Sequence, residues 1–207
     1  MASPSLPPIS SLPTADIDTI TSVLDTLFEP SPEIHAIALP PIQPKRVLAN
    51  PGLSPDLLPP PSAARATVPD VPFSSYQALS RHVGTLMLQL AQSPAPESRE
   101  RLRSILGSHP RLGAKKVDSA QSQAEQAQLN TGGADEAEKL RALNEQYEAK
   151  FPGLRYVVFV NGRSRPVIMD DMRRRIDRGD PKAEEIEAVQ AMVDIAIDRA
   201  TKLEAAT

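Results

Sequence analysis

The sequence contains no cysteine and no tryptophan, and aromatic residues make up only 3% of its 207 residues. The absence of cysteine excludes disulfides, thiolate nucleophiles and zinc sites built on cysteine. Because aromatic side chains are so few, we expect a core of leucine, isoleucine, valine and alanine, a composition that favours helices. No apolar run approaches the roughly 18 residues that a membrane span requires. The length fits one domain.

An excess of basic charge is also missing. The 23 lysines and arginines face 26 acidic residues, which gives a formal net charge of -3, so no long-range field attracts nucleic acid or an anionic membrane. The first residues, MASPSLPPISSLPT, have no basic and apolar regions of a secretory signal, and the final AAT is not a peroxisomal address of the Ser-Lys-Leu type. We therefore expect an intracellular, soluble protein of the cytoplasm or peroxisome, without nucleic-acid or membrane partners.

Apolar residues recur at every third or fourth position over most of the chain, which is the spacing of one helical face. This pattern predicts a first helix in TADIDTITSVLDTLFE, which starts at Thr14. Further helices are predicted in SSYQALSRHVGTLMLQLAQS, PAPESRERLRSILG, DEAEKLRALNEQYEAKF, PVIMDDMRRRI and a long last segment opened by Asp180 and Pro181. RYVVFV, residues 155–160, predicts either a short strand or a buried extended segment. The expected fold class is all-α.

Proline is concentrated between Pro30 and Pro72, which together with the residues between them include twelve of the 22 prolines. Proline lacks an amide donor and restricts the residue before it, so both helix and interior strand are disfavoured there. We expect a partly disordered proline-rich insertion at 33–70, after the first helix of a single helical domain that spans 14–203. Residues 1–13 are expected to form a flexible N-terminus, and 204–207 a tail.

The segment ILGSHPRLGAK, residues 105–115, places His109 between a glycine that can end a helix and a proline that can begin one. The chain has only three histidines, so proton transfer near neutral pH has few other places to occur. At a helix entrance the dipole disfavours an imidazolium, which predicts a neutral ring that can act as a base. A capping or surface histidine is the alternative. His35 and His82 are expected to be structural.

Ser122, Glu125 and Gln126 follow the spacing i, i+3 and i+4, so their side chains share one face of a helix. A hydroxyl, a carboxylate and an amide can together hold a small ligand rich in N–H and C=O groups, and a solvated polar face is the alternative. Arg199 could pair with a substrate carboxylate or with a nearby acid. No glycine-rich phosphate loop, histidine or carboxylate metal cluster, or Gly-x-Ser-x-Gly elbow is present, so neither metal nor cofactor is expected.

Several short segments follow one another in a recognisable order: LFEPSP at 27–32, VPFSSYQAL at 71–79, SHPRLG at 108–113, SQAEQAQL at 122–129, and LNEQYEAKF followed by YVVFVNGRS. This succession resembles the family of 2-oxo-4-hydroxy-4-carboxy-5-ureidoimidazoline (OHCU) decarboxylases, which perform the last step from urate to (S)-allantoin. The resemblance implies a helical bundle of one domain, usually a homodimer, that acts on this small-molecule substrate without a metal or organic cofactor.

The resemblance also implies roles for individual residues. The family's acid/base histidine corresponds to His109, and its Ser-x-x-Glu-Gln motif to Ser122, Glu125 and Gln126, of which Glu125 is expected to take part in catalysis. The other substrate-binding positions that the resemblance implies are Pro110, Tyr156, Val157, Val158, Phe159, Val160 and, by helix register, Arg199.

The sequence departs from the family pattern at three points. The segment 33–70 is longer and richer in proline, Arg111 stands where an acidic residue is common, and KFPGLRYVV has one residue more than the usual version, which adds the polar Arg155 beside the expected pocket. Two alternatives therefore stay open. The chain could be a non-catalytic helical module whose proline-rich stretch binds a partner, or an enzyme that acts on a related ureido or hydantoin compound.

Overall fold

The computed structural model describes residues 5–43, 73–114, 120–127 and 134–205. A 3-10 turn at Ile9–Thr14 comes first, and none of the described residues forms a strand. The predicted all-α, single-domain fold is confirmed. In the described residues the helices are α1 (Ile17–Phe28), α2 (Pro32–Ile42), α3 (Tyr76–Gln92), α4 (Pro96–Ser108), α5 (Ala120–Ala127), α6 (Ala134–Lys150), α7 (Arg165–Arg178) and α8 (Pro181–Ala205).

The ends of the helices follow ordinary capping chemistry. Helix α1 begins after Asp16, whose side chain accepts a hydrogen bond from the amide of Thr19 at 2.6 Å. Asp180 caps α8 in the same way, since its carboxylate accepts from the amides of Lys182 and Ala183 at 2.9 and 3.1 Å. The start of α8 at Asp180 and Pro181 is as predicted. Helix α8 extends to Ala205, into the predicted tail at 204–207.

The residues after α1 form a helix where the prolines predict irregular structure. In α2, Pro32 occupies the first turn, where the missing amide costs nothing, and Pro40 and Pro41 fall in the last turn. One face is buried in the core through Ile34, Ala38 and Ile42. The expectation of irregular structure, based on proline disfavouring a helix, is therefore wrong for 33–42, because burial of this face outweighs the lost donors. The rest of the insertion, from 44 to 70, lies outside the described residues.

The N-terminal residues pack against the bundle as far as they are described. Leu12 is buried, and the hydroxyl of Tyr76 in α3 donates to the carbonyl of Pro7 at 2.7 Å. The side-chain amide of Gln43 donates to the carbonyls of Pro13 and Ala15 at 3.3 and 2.7 Å. The sequence predicts a flexible segment over 1–13, and these contacts tie its described part, residues 5–13, to α2 and α3. The domain limits at 14 and 203 stay a prediction.

Helix α8 forms the centre of the bundle and packs against α1 and α3. Its small and apolar side chains are buried along these contacts: Ala188, Val189, Met192, Val193, Ala196 and Ala200. The helices α3 and α8 approach closely at Gly84, where a Cβ would overlap the Cγ2 atom of Val193. No described helix is long and apolar enough to cross a membrane.

Residues 155–160, the extended segment, form neither a helix nor a strand, so the short strand that RYVVFV also predicts is not present. Tyr156, Val157 and Val160 are buried in it, whereas Arg155 is exposed. Arg175 of α7 holds this segment, because its Nη1 donates to the carbonyl of Val157 at 3.0 Å and its guanidinium lies 4.7 Å from the centre of the Tyr156 ring. Arg175 pairs in turn with the buried carboxylate of Glu184, which also accepts from the hydroxyl of Tyr147. Buried backbone groups need hydrogen-bond partners, which a neighbouring strand usually supplies. Here the side chain of Arg175 supplies one of them.

The close approach of α3 and α8 predicts a specific response to mutation. We expect Gly84→Ala to lower the free energy of unfolding by about 1 to 3 kcal/mol, because the new methyl group overpacks against Val193. The double variant Gly84→Ala/Val193→Ala should be less destabilised than the sum of its single variants, as measured by urea unfolding.

Gly107 of α4 provides the matched control. A Cβ there would meet only the carbonyl oxygen of Gly153, at 3.9 Å, so Gly107→Ala should be neutral or slightly stabilising. Equal destabilisation by both alanines, or strict additivity of Gly84→Ala with Val193→Ala, would contradict this packing.

Candidate active site

A cavity of about 440 Å³ lies between the end of α4, helix α5, the segment after Tyr156 and the C-terminal part of α8. The cavity brings together parts of the chain that are far apart in sequence. The predicted site residues that line it are His109, Pro110, Ser122, Glu125, Tyr156, Val158, Phe159, Val160 and Arg199.

Two predicted residues are not seen at the wall. Val157 is buried outside the cavity, and its carbonyl is the acceptor for Arg175. Its neighbours Tyr156 and Val158 both line the cavity. The expected contact of Val157 with a ligand stays a prediction. Gln126 belongs to α5, but its side chain lies outside the described residues.

His109 is the residue that follows the last turn of α4, with extended backbone angles (φ -66°, ψ 137°). Residues 110–114 form a turn, so among the described residues no helix starts at Pro110. The predicted position at a helix entrance is therefore wrong. The C-terminal end of a helix favours an imidazolium, which means that a neutral ring here needs another cause.

That cause is burial. The His109 side chain is 8% exposed, and burial lowers its pKa to about 4. The value of about 4 includes smaller contributions, since the positive charges of Arg199 and Arg155 also lower this pKa and the carboxylate of Glu29 raises it. The Nδ1 atom is buried and has no hydrogen-bond partner among the described residues. At neutral pH the ring is therefore uncharged.

Arg199, only 2% exposed, connects three parts of the chain behind the cavity wall. Its Nε and Nη2 atoms donate to the two carboxylate oxygens of Glu125 at 2.7 and 2.9 Å, and Nη2 also donates to Oγ of Ser122 at 2.9 Å. Its Nη1 donates to the carbonyls of Thr26 and Leu27, in the last turn of α1, at 3.2 and 3.4 Å. All three guanidinium nitrogens therefore donate to acceptors of the protein itself. Arg199 holds the residues of the cavity wall together and does not direct a pair of donors at a substrate carboxylate.

Glu29 belongs to the same network and is not among the residues that the sequence assigned. Its Oε1 accepts from Oγ of Ser122 at 2.6 Å and lies 2.7 Å from Nη2 of Arg199. Glu29 is 3% exposed and follows α1 directly. Its position in LFEPSP could have indicated this role, because there a carboxylate follows directly after Leu27 and Phe28, which are buried.

The α5 side of the cavity offers acceptors to a ligand. Ser122 is fully buried in this wall, and because it donates its single hydrogen to Glu29, its oxygen is an acceptor, which takes a hydrogen bond from Nη2 of Arg199. The carboxylate of Glu125, fixed by Arg199, likewise accepts. This side therefore suits a ligand with N–H donors, such as a ureido group. The shared face predicted for Ser122 and Glu125 is present.

The opposite side of the cavity is mainly apolar and has a fixed backbone. Val158, Phe159 and Val160 line it, and Arg163 donates to the carbonyls of Phe159 and Val160. The chain then turns at Asn161 and Gly162, which both have positive φ. Tyr156 contributes its ring, because its hydroxyl is engaged by Asp171 at 2.6 Å and burial raises its pKa. This side can hold a flat ring without titrating near neutral pH.

The other sequence-assigned histidines lie outside the cavity lining. Nε2 of His35 lies 2.6 Å from Oδ1 of Asp25, which joins α2 to α1. The ring of His82 is 5.3 Å from that of Phe73, and partial burial lowers its pKa. Within the described ranges, no cluster of histidine and carboxylate residues is arranged to hold a metal ion.

Comparison with known proteins gives two matches. The model of the OHCU decarboxylase family matches residues 54–201, which include every cavity-lining residue named above, whereas Glu29 lies outside this match. A human protein with the name "Putative 2-oxo-4-hydroxy-4-carboxy-5-ureidoimidazoline decarboxylase" is 33% identical over 122 residues. This alignment covers 56% of the chain and 66% of the human protein, so the chain spans just under two thirds of that relative's length.

The buried imidazole should make the fold sensitive to mild acid. The pKa of His109 is about 4 in the folded chain and about 6.5 in an unfolded one. Between these values the unfolded chain binds more protons, so the free energy of unfolding falls as the pH falls, by at most about 3 kcal/mol. We expect His109→Asn to lose this part of the pH dependence, measured by urea unfolding at several pH values from 7 to 4.5.

His82→Asn serves as the comparison, because His82 is only partly buried and its removal should leave most of the slope in place. A wild-type slope in folded His109→Asn would show that His109 is not the buried neutral group.

Proposed function

The chain belongs to the OHCU decarboxylase family, and from this premise we propose that it converts OHCU to (S)-allantoin and carbon dioxide, without a cofactor, in urate catabolism. The observation that carries the proposal is the cavity itself. An uncharged, buried imidazole (His109) and a fixed acceptor wall (Ser122 and Glu125) meet around a space of about 440 Å³. A non-catalytic module of the same fold has no evident need for this combination.

The substrate itself can accept the electrons that decarboxylation releases. In OHCU one ring carbon carries the carboxylate and a hydroxyl, and the neighbouring ring carbon is part of a C=N bond. When the bond to the carboxylate breaks, its electron pair forms a C=C bond, and the C=N pair moves to nitrogen, which takes a proton. The hydroxyl then loses its proton to become a carbonyl, and the neighbouring carbon gains one. One proton enters in total, and the protein has to place and move protons.

His109 is the proposed proton carrier. An uncharged imidazole can accept the hydroxyl proton and return a proton to the ring carbon. The pKa of about 4 belongs to the cavity without ligand. An anionic substrate adds negative charge beside the ring, which raises the pKa of His109 towards neutral pH. Because the imidazole lies on one side of the cavity, the proton reaches one face of the ring carbon, which accounts for a single enantiomer.

The other cavity residues bind and orient the substrate in this proposal. Glu125 and Ser122 accept hydrogen bonds from the ureido or ring N–H groups, and Arg199 holds both acceptors in place. Gln126 and backbone amides of residues 156–160 fix the ring. Pro110 shapes the wall beside His109. Val157 acts indirectly, through the carbonyl by which Arg175 holds the segment.

The decisive experiment adds the purified protein to freshly oxidised urate and follows the circular dichroism of the product. Spontaneous decay gives racemic allantoin, so rapid appearance of the S enantiomer is the expected result. His109→Asn and Glu125→Gln should each lower kcat/KM by roughly 100-fold to 10,000-fold, the range for loss of a positioned acid/base group. Glu145→Gln, at an exposed carboxylate of α6 that pairs with Arg141, is the matched control and should retain activity.

Racemic product at the spontaneous rate from folded protein would contradict the proposal and favour the non-catalytic module. Preferential turnover of another ureido or hydantoin compound in the same assay would favour the third possibility. The homodimer that the resemblance implies stays a prediction, which light scattering of the purified protein tests.

A further inference from the structure

Glu29 does not line the cavity, but it contacts two residues that do. One carboxylate oxygen, Oε1, accepts the hydroxyl hydrogen of Ser122 at 2.6 Å and lies 2.7 Å from Nη2 of Arg199. Through these contacts the end of α1 is joined to α5 and α8. Any change at Glu29 therefore reaches the cavity through Ser122 and Arg199.

Two features of Glu29 are unfavourable for an ordinary structural residue. Its backbone angles, φ 73° and ψ 154°, lie in a region that is adopted almost exclusively by glycine. Its carboxylate is also buried, which costs solvation free energy unless it is well paired. A glycine at this position would remove both costs. The presence of glutamate indicates that the carboxylate is needed for what it contacts.

The contacts define what the carboxylate does. It accepts the hydroxyl hydrogen of Ser122, which leaves the Ser122 oxygen as the acceptor for Nη2 of Arg199 and so joins α5 to α8 at the cavity wall. It also supplies a counter-charge to Arg199, which allows the guanidinium to remain buried and hold Glu125. Without this counter-charge, Arg199 would be drawn out of place or would compete for the substrate carboxylate.

Glu29 also affects the electrostatic surroundings of His109. The charged groups that act on the imidazole come from several elements: Arg199 from α8, Arg155 from the extended segment and Glu29 from the end of α1. Arg199 and Arg155 disfavour the imidazolium, and Glu29 is the group that favours it. Glu29 thus balances Arg199 both by direct pairing and in its effect on the imidazole.

We propose that Glu29 is a positioning residue for the decarboxylation, which acts through Ser122 and Arg199 to keep the α5 wall an acceptor surface that seats the substrate against His109. The inference rests on the proposed function. It assigns Glu29 no contact with the substrate, so loss of its carboxylate should change the rate of the chemical step more than KM.

The test begins with Glu29→Gln, which keeps the shape of the side chain and removes its charge. We expect kcat to fall by roughly 100-fold, because Ser122 and Glu125 lose their fixed placement. The acid limb of the kcat/KM profile should move to lower pH, since His109 loses a carboxylate that raises its pKa. Glu29→Asp keeps the charge, so its acid limb should stay close to that of the wild type.

Two further variants separate this role from a merely structural one. Glu29→Gly relieves the backbone strain, so it should be at least as stable as Glu29→Gln and yet have the same loss of kcat. Glu184→Gln removes another buried carboxylate, which pairs with Arg175 away from His109. It should lower the stability without moving the acid limb.

The outcomes distinguish the two proposals. If the wild type has no decarboxylase activity, the proposed function fails, and the inference that depends on it fails too. If the wild type is active and Glu29→Gln has a kcat within twofold of wild type with the same acid limb, only the inference about Glu29 is overturned. If Glu29→Gln does not fold, Glu29→Gly decides: folded protein with wild-type kcat overturns the inference, and folded protein with reduced kcat supports it.

Discussion

The arrangement of the cavity depends on one buried guanidinium. Arg199 of α8 joins Glu125 and Ser122 of α5 to Glu29 and to backbone carbonyls at the end of α1. A buried arginine is costly unless its donors are all satisfied, and here all three nitrogens have acceptors. The same requirement fixes the positions of the acceptors. The short helix α5 is thereby attached to the bundle at the place where its polar face meets the cavity.

A second buried arginine holds the opposite side of the cavity in place. Arg175 of α7 pairs with Glu184 and holds the carbonyl of Val157 and the ring of Tyr156. The extended segment therefore keeps its shape although no strand pairs with it among the described residues. The cavity thus lies between two elements, α5 and the segment 155–160, that each depend on an arginine from a long helix. His109, next to the end of α4, completes the space between them.

Several helices and the polar face of α5 could be predicted from the sequence, whereas the surroundings of His109 and the helix α2 could not. The spacing of Ile20, Leu24 and Leu27 identified α1, and that of Ser122 and Glu125 identified a shared polar face. His109 was expected to be a neutral ring, and it is neutral for a different reason. Local sequence suggested a helix entrance, whereas burial, which depends on packing from distant helices, keeps the ring uncharged. Helix α2 was missed because proline content outweighed the spacing of its buried residues.

The sequence by itself determined the all-α class, the helix start at Asp180, and the residue types that can move a proton or accept hydrogen bonds, because these follow from local spacing and side-chain chemistry. Only the tertiary structure decided that Glu29 belongs with Arg199 and that Arg199 serves the protein's own acceptors. Those facts depend on contacts between residues more than 70 positions apart. Burial and pairing at such distances are set by how the helices pack, which no local pattern specifies.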